Sequence, residues 1–176
     1  MLAVGCSPLK KMNAVIDTNK KLWDLLREIP DPEIPVITIV DLGIVRDVIV
    51  KDNSVIVEIT PTYSGCPAYE PIEKEIISRL KEEGFANVQI KKTLSPAWST
   101  DWMSDEAKER LRKYGIAPPE KSTSDKNALL GKQKNILCPH CGSDNTEMIS
   151  MFGSTACKAI YKCKNCTEPF DYFKCI

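Results

Sequence analysis

Histidine is nearly missing from this sequence: His140 is the only one among 176 residues. That scarcity excludes much hydrolytic chemistry, since no Ser-His-Asp set and no HExxH helix can be assembled. A phosphate-cradling glycine loop is missing too. No run approaches the roughly 18 apolar residues of a membrane span. Net charge is also absent, with 24 Lys plus Arg against 24 Asp plus Glu, so no overall field draws the chain to nucleic acid or a membrane surface. An export signal is not evident. The start, MLAVGCSP, superficially resembles a lipoprotein cleavage site, but it lacks a basic n-region and a long apolar h-region. Met12 offers an alternative start that would leave the first residues without a role.

What is present is enough for a core. Apolar residues make up 43% of the chain, and the length fits one domain plus an appended module. Asp17 to Ile29 reads as a helix, with Leu22, Leu25, Leu26 and Ile29 on one face. Asp17 or Thr18 is its expected cap and Pro30 its stop. Asp31 to Pro35, with two prolines, is expected to be extended and rigid. Ile44–Val50 and Val55–Thr60 are strand-like, and Asp52-Asn53 between them predicts a hairpin. A second helix is expected from Cys66-Pro67 to Glu83, burying Ile72, Ile76, Ile77 and Leu80 and ending at Gly84. Asn87 to Leu94 is a third strand. Ser104 caps a third helix, Asp105 to Tyr114, closed by Gly115.

The expected architecture is α+β: a small three-stranded sheet packed with about three helices, followed by a small metal-binding ribbon. Residues 1–16 form an N-terminal extension, 17–116 the α/β domain, 117–135 a polar linker and 136–176 the ribbon-like module. A tail of about 40 residues rarely folds without a metal or disulfides.

Eight cysteines are present, and four of them form Cys138-x-x-Cys141 and Cys163-x-x-Cys166. Each pair lets two thiolates converge, and four satisfy tetrahedral zinc. Iron or an iron–sulfur cluster is the alternative occupant. Without an export signal, this spacing favours metal in a reducing cytoplasm over disulfides. Cys157 and Cys175 are read first as buried packing residues and second as extra metal ligands. His140, inside a knuckle, is expected at the surface.

In the first domain, Cys66 follows a Ser-Gly loop and precedes a helix. A thiol at a helix N-terminus can be stabilised as thiolate, and Thr62 or Ser64 could donate to its sulfur. An inert buried cysteine is the equal alternative. Asp31, Glu33 and Asp41 are candidate acids, although turn roles explain Asp31 and Asp41 equally well. Trp98 and Trp102 are expected to pack over the sheet edge; exposed, they would mark a partner surface.

Three stretches together, Asp31-Pro32-Glu33 with Asp41-Leu42-Gly43-Ile44-Val45, Thr62 to Cys66-Pro67, and Pro96-Ala97-Trp98-Ser99, resemble the small iron–sulfur assembly proteins that include SufT and the cytosolic iron–sulfur targeting factors. Further stretches, Trp98-Ser99-Thr100-Asp101-Trp102, Tyr114 to Pro119, Phe152-Gly153-Ser154-Thr155-Ala156-Cys157-Lys158 and Glu168 to Cys175, extend the resemblance to the PaaD family over nearly the whole chain. That resemblance implies a non-enzymatic accessory factor of the phenylacetyl-CoA epoxidase system of aerobic phenylacetate degradation. It would assist iron or iron–sulfur cluster delivery, with the iron–sulfur reductase component as partner. The family's reactive cysteine falls on Cys66 and its acidic motif on Asp31 and Glu33; Thr62 would shape the pocket. A non-catalytic structural subunit of the oxygenase is the alternative, and a nucleic-acid-binding ribbon or a thiol enzyme is less well supported. Relatives of the first domain resemble dimer formers, but no stripe in this sequence demands a homodimer.

Overall fold

A computed structural model describes residues 8–51, 54–119 and 136–174, with the side chains of 8–16 left aside. Helix α1 (Pro8–Leu26) is followed by strands β1 (Val45–Lys51) and β2 (Ser54–Ile59). Helix α2 (Tyr69–Glu82), strand β3 (Asn87–Lys92) and helix α3 (Asp105–Tyr114) complete the first unit. Strands β4 (Ile116–Ala117), β5 (Thr146–Ser150), β6 (Lys158–Cys163) and β7 (Pro169–Phe173) form the second. The expected α+β class therefore holds.

Two sheets organise the molecule. In the first, β1 pairs antiparallel with β2 and β2 pairs parallel with β3, so α2 is the crossover of a β-α-β unit. The second runs β4-β7-β6-β5, with β5–β6 and β6–β7 antiparallel. The apolar face foreseen for α1 is buried, as are Ile72, Ile76 and Leu80 of α2. Ile77, foreseen beside them, is only half-buried.

Several local expectations are corrected. Helix α1 begins at Pro8, not Asp17; proline suits the first helical position because its missing N–H has no partner there anyway. Residues 8–16 of the foreseen extension are therefore helical. The helix ends at Leu26, and tighter turns, with Glu28 N–H donating to Leu25 and Ile29 N–H to Leu26, carry the chain to Pro30. Asp31 to Pro35 is bent, not extended. Asp31 Oδ1 accepts the N–H of Glu33 at 2.9 Å and of Ile34 at 2.8 Å, and this side-chain cap folds the segment back on itself. Ala117, read as the start of the linker, lies in β4, which pairs parallel with β7. The rest of that linker, from residue 120, the Asp52-Asn53 turn and Cys175 lie outside the described residues.

Helix α3 is framed as foreseen. Ser104 Oγ accepts the Ala107 N–H, and Gly115 closes the helix at φ +92°. No described helix is long and apolar enough to cross a membrane.

Candidate functional site: a ribbon thiolate cluster and a two-module thiol pocket

Two sites emerge. In the ribbon, the sulfurs of Cys138, Cys141, Cys163 and Cys166 all lie within 4.8 Å of one another. Cys138 and Cys166 approach to 3.7 Å, and Cys141 and Cys163 to 3.6 Å. Four sulfurs placed about 2.3 Å from a tetrahedral zinc would stand about 3.8 Å apart, so the donor set fits that ion. The Cys166 N–H points at Cys163 Sγ, and that bond, helped by the Asn165 N–H, draws the Cys163 thiol down to about 6. Backbone donors of this kind favour the thiolate that a metal needs. His140 is exposed and rests near Gly115 at the end of α3, so it lies at the surface as foreseen.

The second site joins the two units. A small cavity of about 10 Å³ is lined by Asp31, Glu33, Thr62, Cys66 and Cys157, among others. Cys66 sits in the turn before α2, which starts three residues later than foreseen, at Tyr69. Its thiol is pushed up by burial, against the Ala68 N–H and the Thr62 hydroxyl that hydrogen-bond the sulfur. The lowered pKa considered for a helix N-terminus is thus not found: desolvation outweighs the helix end. Ser64, the other foreseen donor, is exposed.

Asp31 is buried, and burial raises its carboxyl above the usual range despite the two backbone N–H groups on Oδ1. Lys158, a buried residue of β6, bears on Asp31 from the ribbon side. Asp41 lies elsewhere. Its carboxylate accepts the N–H and hydroxyl of Thr38 and pairs with Arg110, and its carbonyl accepts the Ser104 N–H. It ties the loop before β1 to α3 and is no part of the pocket.

Cys157 is what sequence reasoning missed. It is buried, as foreseen, but in the first unit's core and on the Cys66 cavity. Its sulfur lies 3.0 Å from Thr155 Oγ1 and donates toward Glu33 Oε2 at 3.7 Å. The only advance signal was its place in the Phe152 to Lys158 stretch.

The tryptophan loop holds the units together. Trp98 is 5% exposed, donates from Nε1 to the Leu42 carbonyl at 2.9 Å, and meets Phe173 of β7 edge-on at 6.0 Å. The Arg46 guanidinium covers Trp102 at 3.5 Å. The packing role foreseen for Trp98 is therefore found, and an exposed docking platform at that residue is ruled out.

Two family models match this chain, an iron–sulfur cluster assembly protein over residues 19–92 and a PaaD zinc beta ribbon domain over residues 122–174. An Escherichia coli strain K12 protein, named as a putative 1,2-phenylacetyl-CoA epoxidase component, is 52% identical over 89% of this chain and 92% of its own length. The chain belongs to the PaaD family. A Porphyromonas gingivalis protein named Fe-S protein maturation auxiliary factor is 36% identical over 54% of this chain and 91% of itself. A solved domain of unknown function from Bacillus anthracis shares the first unit's fold. Its TM-score is 0.52 and its identity 29%, over 55% of this chain and 92% of that one. These two relatives match about half of this PaaD-family chain, whereas the E. coli relative spans most of it.

Proposed function

We propose that this PaaD-family protein is a maturation factor that holds iron or an iron–sulfur cluster on Cys66 and passes it to a component of phenylacetyl-CoA epoxidase, the iron–sulfur reductase first among them. The observation that carries this reading is the gathering of Cys66, Thr62, Asp31 and Glu33 around one cavity. Thiolate with carboxylate is a donor set for iron or zinc. The iron–sulfur assembly match and the maturation factor named in P. gingivalis support the same chemistry.

A resident enzyme role has less support. The sole histidine is in the ribbon knuckle against Gly115, and burial holds the Cys66 thiol protonated, whereas a nucleophilic cysteine needs an adjacent base or a lowered pKa. In the ribbon the four thiolates would hold a resident zinc, which supplies folding energy.

The test is iron, zinc and acid-labile sulfide per chain, with a visible spectrum, on anaerobically reconstituted wild type and Cys66→Ala. The expected result is zinc in both proteins, with iron (with or without sulfide) in the wild type alone. Zinc alone in both sinks the carrier reading. The second reading, a non-catalytic subunit of the oxygenase, draws on the name of the E. coli relative. It requires co-purification with the other components at fixed ratio, with Cys66 dispensable.

A further inference from the structure

We infer that Cys157 of the ribbon and Cys66 of the first unit are joint ligands of a single thiophilic divalent cation, iron(II) as cargo, with Glu33 completing the donor set between them. This deepens the carrier reading and rests on it, since it takes Cys66 as the first ligand.

The placement of Cys157 is the first argument. It belongs by sequence to the ribbon, yet it is 4% exposed within the core of the other unit and lines the same cavity as Cys66 and Glu33. A cysteine that merely packs is a small hydrophobe among hydrophobes. This one has a hydroxyl at 3.0 Å and a carboxylate at 3.7 Å. Two thiols and two carboxyl groups facing one small cavity repel one another once ionised, and a cation relieves that repulsion.

The donor chemistry is the second argument. Asp31 Oδ1 is already occupied by two backbone N–H groups, so Asp31 serves as a wall that shapes the turn. Glu33 is half-buried and its Oε2 already points at the Cys157 sulfur, so it is the carboxylate free to ligate. Two thiolates and a carboxylate suit iron(II), zinc or cobalt(II) and disfavour magnesium or calcium. A cavity of about 10 Å³ has the size of one atom-sized occupant. Binding breaks the two S–H bonds, gives both protons to solvent and forms two metal–sulfur bonds, with no change of oxidation state. Because the two sulfurs come from different units, lifting the ribbon removes half the thiolate set and weakens the hold on the ion. Docking of the ribbon thus controls retention of cargo.

Cobalt(II) is the probe, added anaerobically to full-length protein whose ribbon is first filled with one equivalent of zinc. Zinc outcompetes cobalt for the four-thiolate site, so cobalt reports the second site alone. Absorption at the cobalt K-edge of the wild type is expected to show two sulfur neighbours. Cys157→Ser, with its zinc retained, is expected to lose about half the sulfur-to-cobalt charge-transfer intensity and to bind cobalt at least about tenfold more weakly, as does Cys66→Ser. One sulfur neighbour in the wild type, or a Cys157→Ser titration identical to wild type, overturns the joint site and leaves the carrier reading standing. No second cobalt in the wild type, or cobalt held undiminished by Cys66→Ser, overturns both. Should Cys157→Ser fail to fold, the sulfur count of the wild type decides alone.

Discussion

A Cβ at Gly43 would come within 2.6 Å of Trp102 Cβ and 2.7 Å of the Trp102 carbonyl oxygen, and φ there is +70°. The tryptophan loop can lie on this turn only because the residue has no side chain. Gly43→Ala is expected to cost about 2–4 kcal/mol from combined strain and clash, read as a lowered urea midpoint; an unchanged midpoint would mean the loop does not rest on this turn. Thr60 makes the opposite case. It is 1% exposed and its Oγ1 has no hydrogen-bond partner among the described residues. An orphaned buried hydroxyl costs about 1–3 kcal/mol, so Thr60→Val is expected to raise stability by roughly 1 kcal/mol; a loss would reveal a partner for that hydroxyl. Burial pushes the Cys157 thiol up to about 11, against the Thr155 hydroxyl, from an ordinary value near 9. The folded pKa is raised, so its contribution to stability is fully present below the unfolded value and is lost as pH rises through the folded one. Zinc-loaded protein should therefore lose stability between about pH 9 and 11 more steeply than Cys157→Ala. Parallel curves would place the thiol in contact with water.

Elements were legible where the cause is local. The Ser104 and Gly115 caps bound α3 because a hydroxyl and an achiral residue act within a few positions of themselves. The two C-x-x-C pairs were legible because each knuckle is its own geometry. What could not be read is what two distant segments do together. Strand β4 is two residues whose hydrogen bonds go to β7, and neither stretch carries a periodic signal for it. The same holds for Trp98 against Phe173, and for Cys157 beside Cys66. Sequence placed Asp31 and Glu33 in one motif with Cys66 only through family resemblance, since no spacing rule brings a loop before β1 to the turn before α2. Phe173 is the test at this scale. It is 2% exposed, and it belongs to the ribbon while packing in the first unit's core. Phe173→Ala is expected to cost about 3–5 kcal/mol where it cannot collapse. Because the lost contact joins the units, the ribbon zinc should remain bound while Cys157 becomes open to alkylation at pH 8. If Cys157 stays protected, other contacts hold the ribbon in place.

The molecule as a whole consists of a first unit with its own helices and sheet, and a ribbon whose apolar cluster is small. Ala117, Ile136, Cys138, Ala159, Tyr161, Cys163 and Phe170 form that cluster, and two of the seven are foreseen metal ligands. A core of this size does not hold a fold by itself, so metal binding and ribbon folding are one equilibrium. Removing the metal should therefore act at a distance. A chelator is expected to melt β5, β6 and β7, release Phe173 from Trp98 and withdraw Cys157 from the Cys66 pocket. The helices α1, α2 and α3, which owe nothing to the metal, should keep their far-ultraviolet dichroism. The near-ultraviolet signal of Trp98 should change, and a subsequent urea titration should show one transition, that of the first unit. Re-adding one equivalent of zinc should restore both the Trp98 signal and the burial of Cys157. If the chelated ribbon instead keeps Cys157 buried, its packing against the first unit suffices without metal, and zinc adds stability without deciding the fold. The first outcome makes the four thiolates of the ribbon the support on which the composition of the second pocket depends.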